Sequence, residues 1–176
     1  IKQHNRNALL WRDNSVDGLK TGHTNAAGYC LVTSAQRDGM RLIAVLLGSD
    51  SSEARTDAAQ GLLNYGFRFF ETHRLYAGGE EITTARVWKG DPPVAALGLK
   101  EDLYITIPRG QYESLSAVMD LSMDLVAPLT RESTVGAVRV SFGEEAISDV
   151  PLVVLDDVGE AGLLSRFIDE VKHWLQ

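Results

Sequence analysis

The apolar positions change rhythm along the chain, and each change marks a new element. Leu9, Leu10 and Trp11 form a short apolar run, residues 12–15 a polar turn, and residues 16–22 a predicted strand. Small turn-forming residues at 25–28 end that strand, and Tyr29, Cys30, Leu31, Val32 and Thr33 open a second β-like run to about Arg37. Asp38-Gly39 is a hairpin signal leading into residues 40–48. There Leu42, Ile43, Ala44, Val45, Leu46 and Leu47 are apolar without a break, which predicts a strand buried on both faces, as in a sheet covered by helices. Ser51 or Ser52 then caps a helix expected over about 52–70. Its stripe is Ala54, Ala58, Leu62 and Tyr65 or Gly66, widened by Leu63, Phe67 and Phe70.

Past Glu71 the helical period disappears. Runs at 74–76, 82–88, 94–97, 103–108, 115–121, 135–142 and 146–153 are separated by Gly, Pro and acidic turns, and several alternate, as Val138 and Val140 do against Arg139 and Ser141. Evenly spaced short strands predict an all-β sandwich. At the end, Leu163, Leu164, Phe167, Ile168, Val171, Trp174 and Leu175 fall on one face of an amphipathic helix, with Gly159 and Gly162 as hinge positions. The expected fold class is α/β plus all-β: an α/β section over 1–70, a β-sandwich over 71–161 and an amphipathic segment over 162–176.

Composition narrows the function classes. The 176 residues are 44% hydrophobic and 23% charged, which is globular, and no run of 18 apolar residues is present to span a bilayer. The net charge of −7 is uneven. Residues 1–70 carry 8 Lys or Arg against 6 Asp or Glu, so this part can attract an anion. Residues 71–161 carry 7 against 16, which argues against nucleic acid. Cys30 is the only cysteine, so no disulfide forms within the chain, and its apolar neighbours predict a buried structural thiol. His4, His73 and His173 lack metal-ligand spacing, and neither a metal nor a cofactor is assigned. The opening residues have no initiator Met and no signal-type apolar region, so a fragment of a longer protein is expected.

Candidate chemistry gathers at 17–28, around Lys20, Thr21 and Gly22. A Lys-Thr-Gly triplet marks penicillin-binding proteins and class A β-lactamases, where it works beside a Ser-x-x-Lys nucleophile and a second serine element. A bare triplet is weak, since a solvated lysine, a β-branched filler and a bulge glycine give the same letters. Its surroundings are more specific. Asn5, Arg6, Asn7 before Leu9, Leu10, Trp11; Asp17 to Thr24 with His23 after the glycine; Leu42 to Val45 with Gly48; Asp50 followed by Arg55; and Gly136, Pro151, Leu152, Gly159 and Glu160 near the end together resemble the low-molecular-mass penicillin-binding proteins, the serine D-alanyl-D-alanine carboxypeptidases.

That resemblance implies a C-terminal section of a penicillin-binding transpeptidase-like domain followed by a β domain. It implies an enzyme that removes the terminal D-alanine from a peptidoglycan stem peptide through an acyl-serine and is acylated by β-lactam antibiotics. Such an enzyme must hold a free carboxylate and polarise the neighbouring carbonyl. Lys20 supplies a cation near the nucleophile, the Thr21 hydroxyl and the Arg55 guanidinium can receive the carboxylate, and Gly22 leaves room for substrate backbone. The resemblance gives the His23 backbone N–H an oxyanion-hole role and puts Arg6 near the site. It further implies the periplasmic face of the bacterial inner membrane, with the 162–176 helix lying on the membrane surface. Strict alternation sends Lys20 and Gly22 to one face and Thr21 and His23 to the other, so all four can serve one ligand only from a twisted edge strand.

One part of the pattern is missing. No serine in the sequence has lysine three residues later, Ser34 to Arg37 and Ser52 to Arg55 being the nearest imitations, and no asparagine has a serine two residues before it. Two expectations follow: either an N-terminal remainder of the catalytic domain carries the nucleophile, or the protein is a noncatalytic peptidoglycan-binding or scaffolding relative.

Overall fold

In a computed structural model, the residues described are 4–121 and 124–162. The chain divides into two compact units, one of residues up to Thr72 with Thr106–Gly110, the other of His73–Ile105 and from Gln111 onward.

The first unit begins with a short helix, α1 (Leu9–Arg12), followed by β1 (Val16–Thr24), β2 (Gly28–Arg37), β3 (Met40–Ser49) and the helix α2 (Ser52–Phe69). The strands form one antiparallel sheet in the order β1-β2-β3, which leaves β1 at an edge. Asp38 and Gly39 both take positive φ, 48° and 82°, the combination a two-residue hairpin turn requires. Ser51 caps α2 by accepting a hydrogen bond from the Ala54 amide at 3.0 Å. Ala59, Leu63 and Phe67 of α2 then close a single core with Leu9, Val16, Leu31, Ala35, Met40, Ala44 and Leu46. At the other end of α2, the Arg109 guanidinium donates to the Phe67, Arg68 and Phe70 carbonyls, satisfying acceptors that a helix C-terminus leaves open.

Two sequence expectations are corrected here. The face of α2 that is buried is Arg55, Ala59, Leu63 and Phe67, so Leu63 and Phe67 at the margin of the expected stripe are core, while Ala54, Ala58, Leu62 and Tyr65 at its centre are exposed. The two stripes are one residue apart, a rotation of about 100°, and the polar Arg55 and Thr56 disguised the true one. The second correction concerns β3, which is covered on one side only. Met40, Ala44 and Leu46 face the core, while Ile43, Val45 and Leu47 are 61%, 57% and 77% exposed.

In the second part of the chain the strands are β4 (Phe70–Tyr76), β5 (Glu81–Trp88), β6 (Gly90–Asp91), β7 (Val94–Gly98), β8 (Leu103–Pro108), β9 (Leu115–Leu121), β10 (Leu125–Val126), β11 (Thr134–Phe142), β12 (Glu145–Val154) and β13 (Gly159–Glu160). Each of the seven expected β runs is a strand. Six strands make a mixed sheet in the order β10-β5-β7-β12-β11-β9, and β13-β6 and β4-β8 pair as two-stranded ribbons. Val138 and Val140 are fully buried, whereas Arg139 between them reaches Asp120 at 2.7 Å and Asp149 at 3.4 Å. No helix among the described residues is long and apolar enough to cross a membrane. The expected amphipathic helix over 162–176 lies outside the described residues, Gly162 excepted.

Candidate active site

Strand β1 is anchored at the point where its pairing register shifts, between Val16 and Gly18. The Gly18 carbonyl there accepts from Asn7 Nδ2 at 3.1 Å and from Thr33 Oγ1 at 2.9 Å, both donors on buried side chains. Beside it, Arg41 donates to the Asp17 carboxylate at 2.7 Å, and hydrogen bonds from Arg41 and Ser34 hold that carboxyl below its usual range. The strand then runs along the sheet edge as Lys20, Thr21, Gly22 and His23. Gly22 is exposed, and a Cβ added there would meet only Cys30 Cβ, at an ordinary 3.7 Å.

Arg6, Thr21, Gly22, His23, Tyr29, Ser52 and Arg55 line one cavity of about 370 Å³. Five of these residues come from the sequence expectation, and the edge position of β1 is what lets neighbours of opposite alternation share one ligand space. Lys20 is the expected member that the cavity leaves out. Its ammonium folds back to donate to the Thr21 carbonyl at 2.6 Å, in keeping with its place on the other face of the strand.

Arg55 is only 3% exposed. Its Nη1 donates to the Cys30 carbonyl at 3.2 Å, and its Nη2 to the Arg6 carbonyl at 3.3 Å and to Ser52 Oγ at 2.9 Å. Among the described residues these contacts use three of the five N–H donors of a guanidinium, and Nε is buried without a partner. The cation therefore ties α2, β2 and the Arg6 loop together and keeps donor capacity in hand. The two arginines at the cavity give it the character of an anion site, which the slightly basic first part of the chain had suggested.

Tyr29 and Ser52 were missed by sequence reasoning. Ser52 looked like a helix cap, and Tyr29 looked like the first residue of a core strand. A signal was present: the turn pairs Thr24 with Gly28, so His23 must face Tyr29 across the hairpin. Their ring centroids are 4.1 Å apart. Cys30 is half-buried, not buried as expected, with Sγ 3.5 Å from the Ala27 carbonyl oxygen, because β2 has only just left its exposed turn.

An edge strand carrying Lys-Thr-Gly, a helix packed on the same sheet that contributes an arginine to the same cavity, and a β domain downstream are the arrangement the resemblance implies for the C-terminal part of a penicillin-binding protein. The comparisons agree. Residues 1–51 match the D-alanyl-D-alanine carboxypeptidase family and residues 70–160 the C-terminal domain of penicillin-binding protein 5. The chain belongs to the low-molecular-mass penicillin-binding proteins, the D-alanyl-D-alanine carboxypeptidases, and corresponds to their C-terminal part. It is 44% identical to D-alanyl-D-alanine carboxypeptidase DacA of Escherichia coli K12, over 99% of this chain and 45% of the relative. To DacC of the same strain it is 43% identical, over 97% and 43%. Penicillin binding protein 5 of Haemophilus influenzae superposes with a TM-score of 0.85 at 42% identity, covering 91% of this chain and 47% of that one. The chain spans about half the length of the curated relatives it matches. Arg55 lies just beyond the segment matched to the carboxypeptidase family, so its place in the site rests on geometry.

Proposed function

We propose that the whole protein is a serine-type D-Ala-D-Ala carboxypeptidase that trims the terminal D-alanine from peptidoglycan pentapeptides. The observation that carries this reading is the single cavity that gathers the Thr21 hydroxyl, the Gly22 opening and the two cations Arg6 and Arg55. A substrate ending in a free carboxylate binds with that group toward Thr21 and Arg55, where charge-assisted hydrogen bonds are strongest. Its backbone lies along the open edge of β1 beside Gly22. The scissile carbonyl then falls near the His23 backbone N–H, one of two oxyanion donors, and the acyl-serine forms on a nucleophile supplied by the remainder of the catalytic domain. Lys20 acts from the other face of the strand, toward that nucleophile. Water hydrolyses the acyl-enzyme, and a β-lactam stops at that stage.

In this reading the protein works on the periplasmic face of the inner membrane, held there by the 162–176 segment, and the acidic β domain serves as a spacer or partner module. Residues 162–176 carry two Lys or Arg and two Asp or Glu, so binding of this segment to a bilayer rests on apolar burial. The second reading, a noncatalytic scaffold, draws on the absence of Ser-x-x-Lys from this sequence. Labelled penicillin separates the two. Covalent labelling of the full-length gene product supports the carboxypeptidase, and a full-length product that stays unlabelled while folded sinks it.

A further inference from the structure

Tyr29 belongs to no established part of the Lys-Thr-Gly machinery, yet it touches two groups that the carboxypeptidase reading uses. On one side its ring meets the His23 imidazole, with centroids 4.1 Å apart and planes tilted by 36°. On the other, the Arg55 guanidinium carbon lies 5.7 Å from the ring centroid, within cation–π range. The ring also forms part of the cavity wall itself.

Its backbone fixes it in that place. Gly28, immediately before it, has φ +65° and sits so close to Gly48 and Ser49 that an added Cβ would fall 2.9 Å from the Ser49 carbonyl oxygen. Immediately after it, the Cys30 carbonyl accepts from Arg55. The β1–β2 register sets Tyr29 opposite His23. A side chain pinned before and after by backbone, and flanked by a cation and an imidazole, cannot move without disturbing both.

We propose that Tyr29 is a positioning residue for recognition of the substrate's C-terminal carboxylate. Its ring braces the Arg55 guanidinium through the electron-rich face and supports the His23 end of β1 through ring contact. The Thr21–Arg55 carboxylate site and the His23 amide thereby keep a fixed separation. The aromatic ring, and not the phenol hydroxyl, is what the role needs. This inference rests on the reading of the cavity as a carboxylate site.

The test uses the full-length protein and two probes, a short peptide ending in D-Ala-D-Ala with a free carboxylate and the same peptide as its C-terminal amide. Tyr29→Leu should lower kcat/KM on the acid roughly tenfold, chiefly through KM, and on the amide by no more than about threefold, the part owed to the His23 contact, so that acid-over-amide preference falls about threefold or more. Tyr29→Phe should restore the preference to within about twofold of the unmodified enzyme. Tyr29→Met, unbranched and of similar reach, gives the same reading should the leucine variant fail to fold. An unchanged preference in a folded Leu or Met variant overturns the proposal, as does an equal loss on both probes, or a phenylalanine variant as impaired as leucine. If the unmodified enzyme itself turns over acid and amide equally, the carboxylate site is refuted and the Tyr29 role falls with it. That outcome is separable from the others because it appears before any substitution is made.

Discussion

At the scale of single residues, Gly22 and Gly28 stand only six positions apart and serve different purposes. Gly28 is demanded by the fold: its φ is positive and its neighbours are backbone atoms. Gly22 is not, because a Cβ there meets only Cys30 at van der Waals distance and the backbone is ordinary β. Its reason must lie in what passes beside it. Gly22→Ala should therefore leave unfolding free energy within about 0.5 kcal/mol of the parent. It should still slow penicillin acylation of the full-length protein by tenfold or more, since substrate backbone is held off the strand. Urea denaturation and acylation kinetics on the same preparation check the pair of expectations; a large stability loss would mean that the glycine is structural. Arg55 makes the opposite point, because its fold role and its site role share one guanidinium, and deleting it cannot separate them.

At the scale of elements, α1, β2 and α2 meet at Asp13. Its carboxylate accepts from the Ser15 amide and hydroxyl and from Arg37 Nη2 at 2.6 Å, with Gln60 at 3.5 Å. Burial alone would raise this carboxyl, but the Ser15 and Arg37 hydrogen bonds outweigh it and leave it below its usual range. A carboxyl depressed in the folded state adds stability that is fully present above its unfolded value and is lost as pH falls through the folded value. Asp13→Asn should thus cost about 1–2 kcal/mol at neutral pH and progressively less in acid, where the parent loses the same contacts. Denaturant melts from pH 7 downward check it; a gap that stays constant with pH would sink it. Elements of this kind were legible unevenly in the sequence. The Asp38-Gly39 hairpin and the alternating strands of the second unit could be read because their signals are local and repeat every two residues. The two-residue strands β6, β10 and β13 could not, having no period to detect. The face of α2 was misjudged because a buried arginine heads the correct stripe, and helical periodicity counts a charged residue as solvated even where the resemblance marks Arg55 for the site. For the candidate site, the Lys-Thr-Gly segment and both arginines were readable as types. The exclusion of Lys20 from the cavity follows the strand alternation, whereas the inclusion of Tyr29 depended on pairing across the hairpin.

At the scale of the whole molecule, the open face of the three-stranded sheet is a mismatch between composition and surroundings. Ile43, Val45 and Leu47 alternate with core residues and project from the face opposite α2. A β-strand apolar on both faces is a double-sided strand, and the curated relatives are about twice as long as this chain. In our reading the rest of the catalytic domain covers this face and brings the nucleophile to the other wall of the cavity. Two valines of similar exposure test it in the full-length protein. Val45 is 57% exposed and Val118, on β9 of the second unit, is 54% exposed. Val45→Lys should then bury a charge against the covering layer and destabilise by roughly 3 kcal/mol or more. Val118→Lys, at a comparable surface position, should shift stability by no more than about 0.5 kcal/mol. The first variant should also lose penicillin labelling as the two walls part, while the second keeps it. If both substitutions prove equally harmless, the face is open in the complete protein, and the unbroken apolar run of β3 must answer to something other than a second layer.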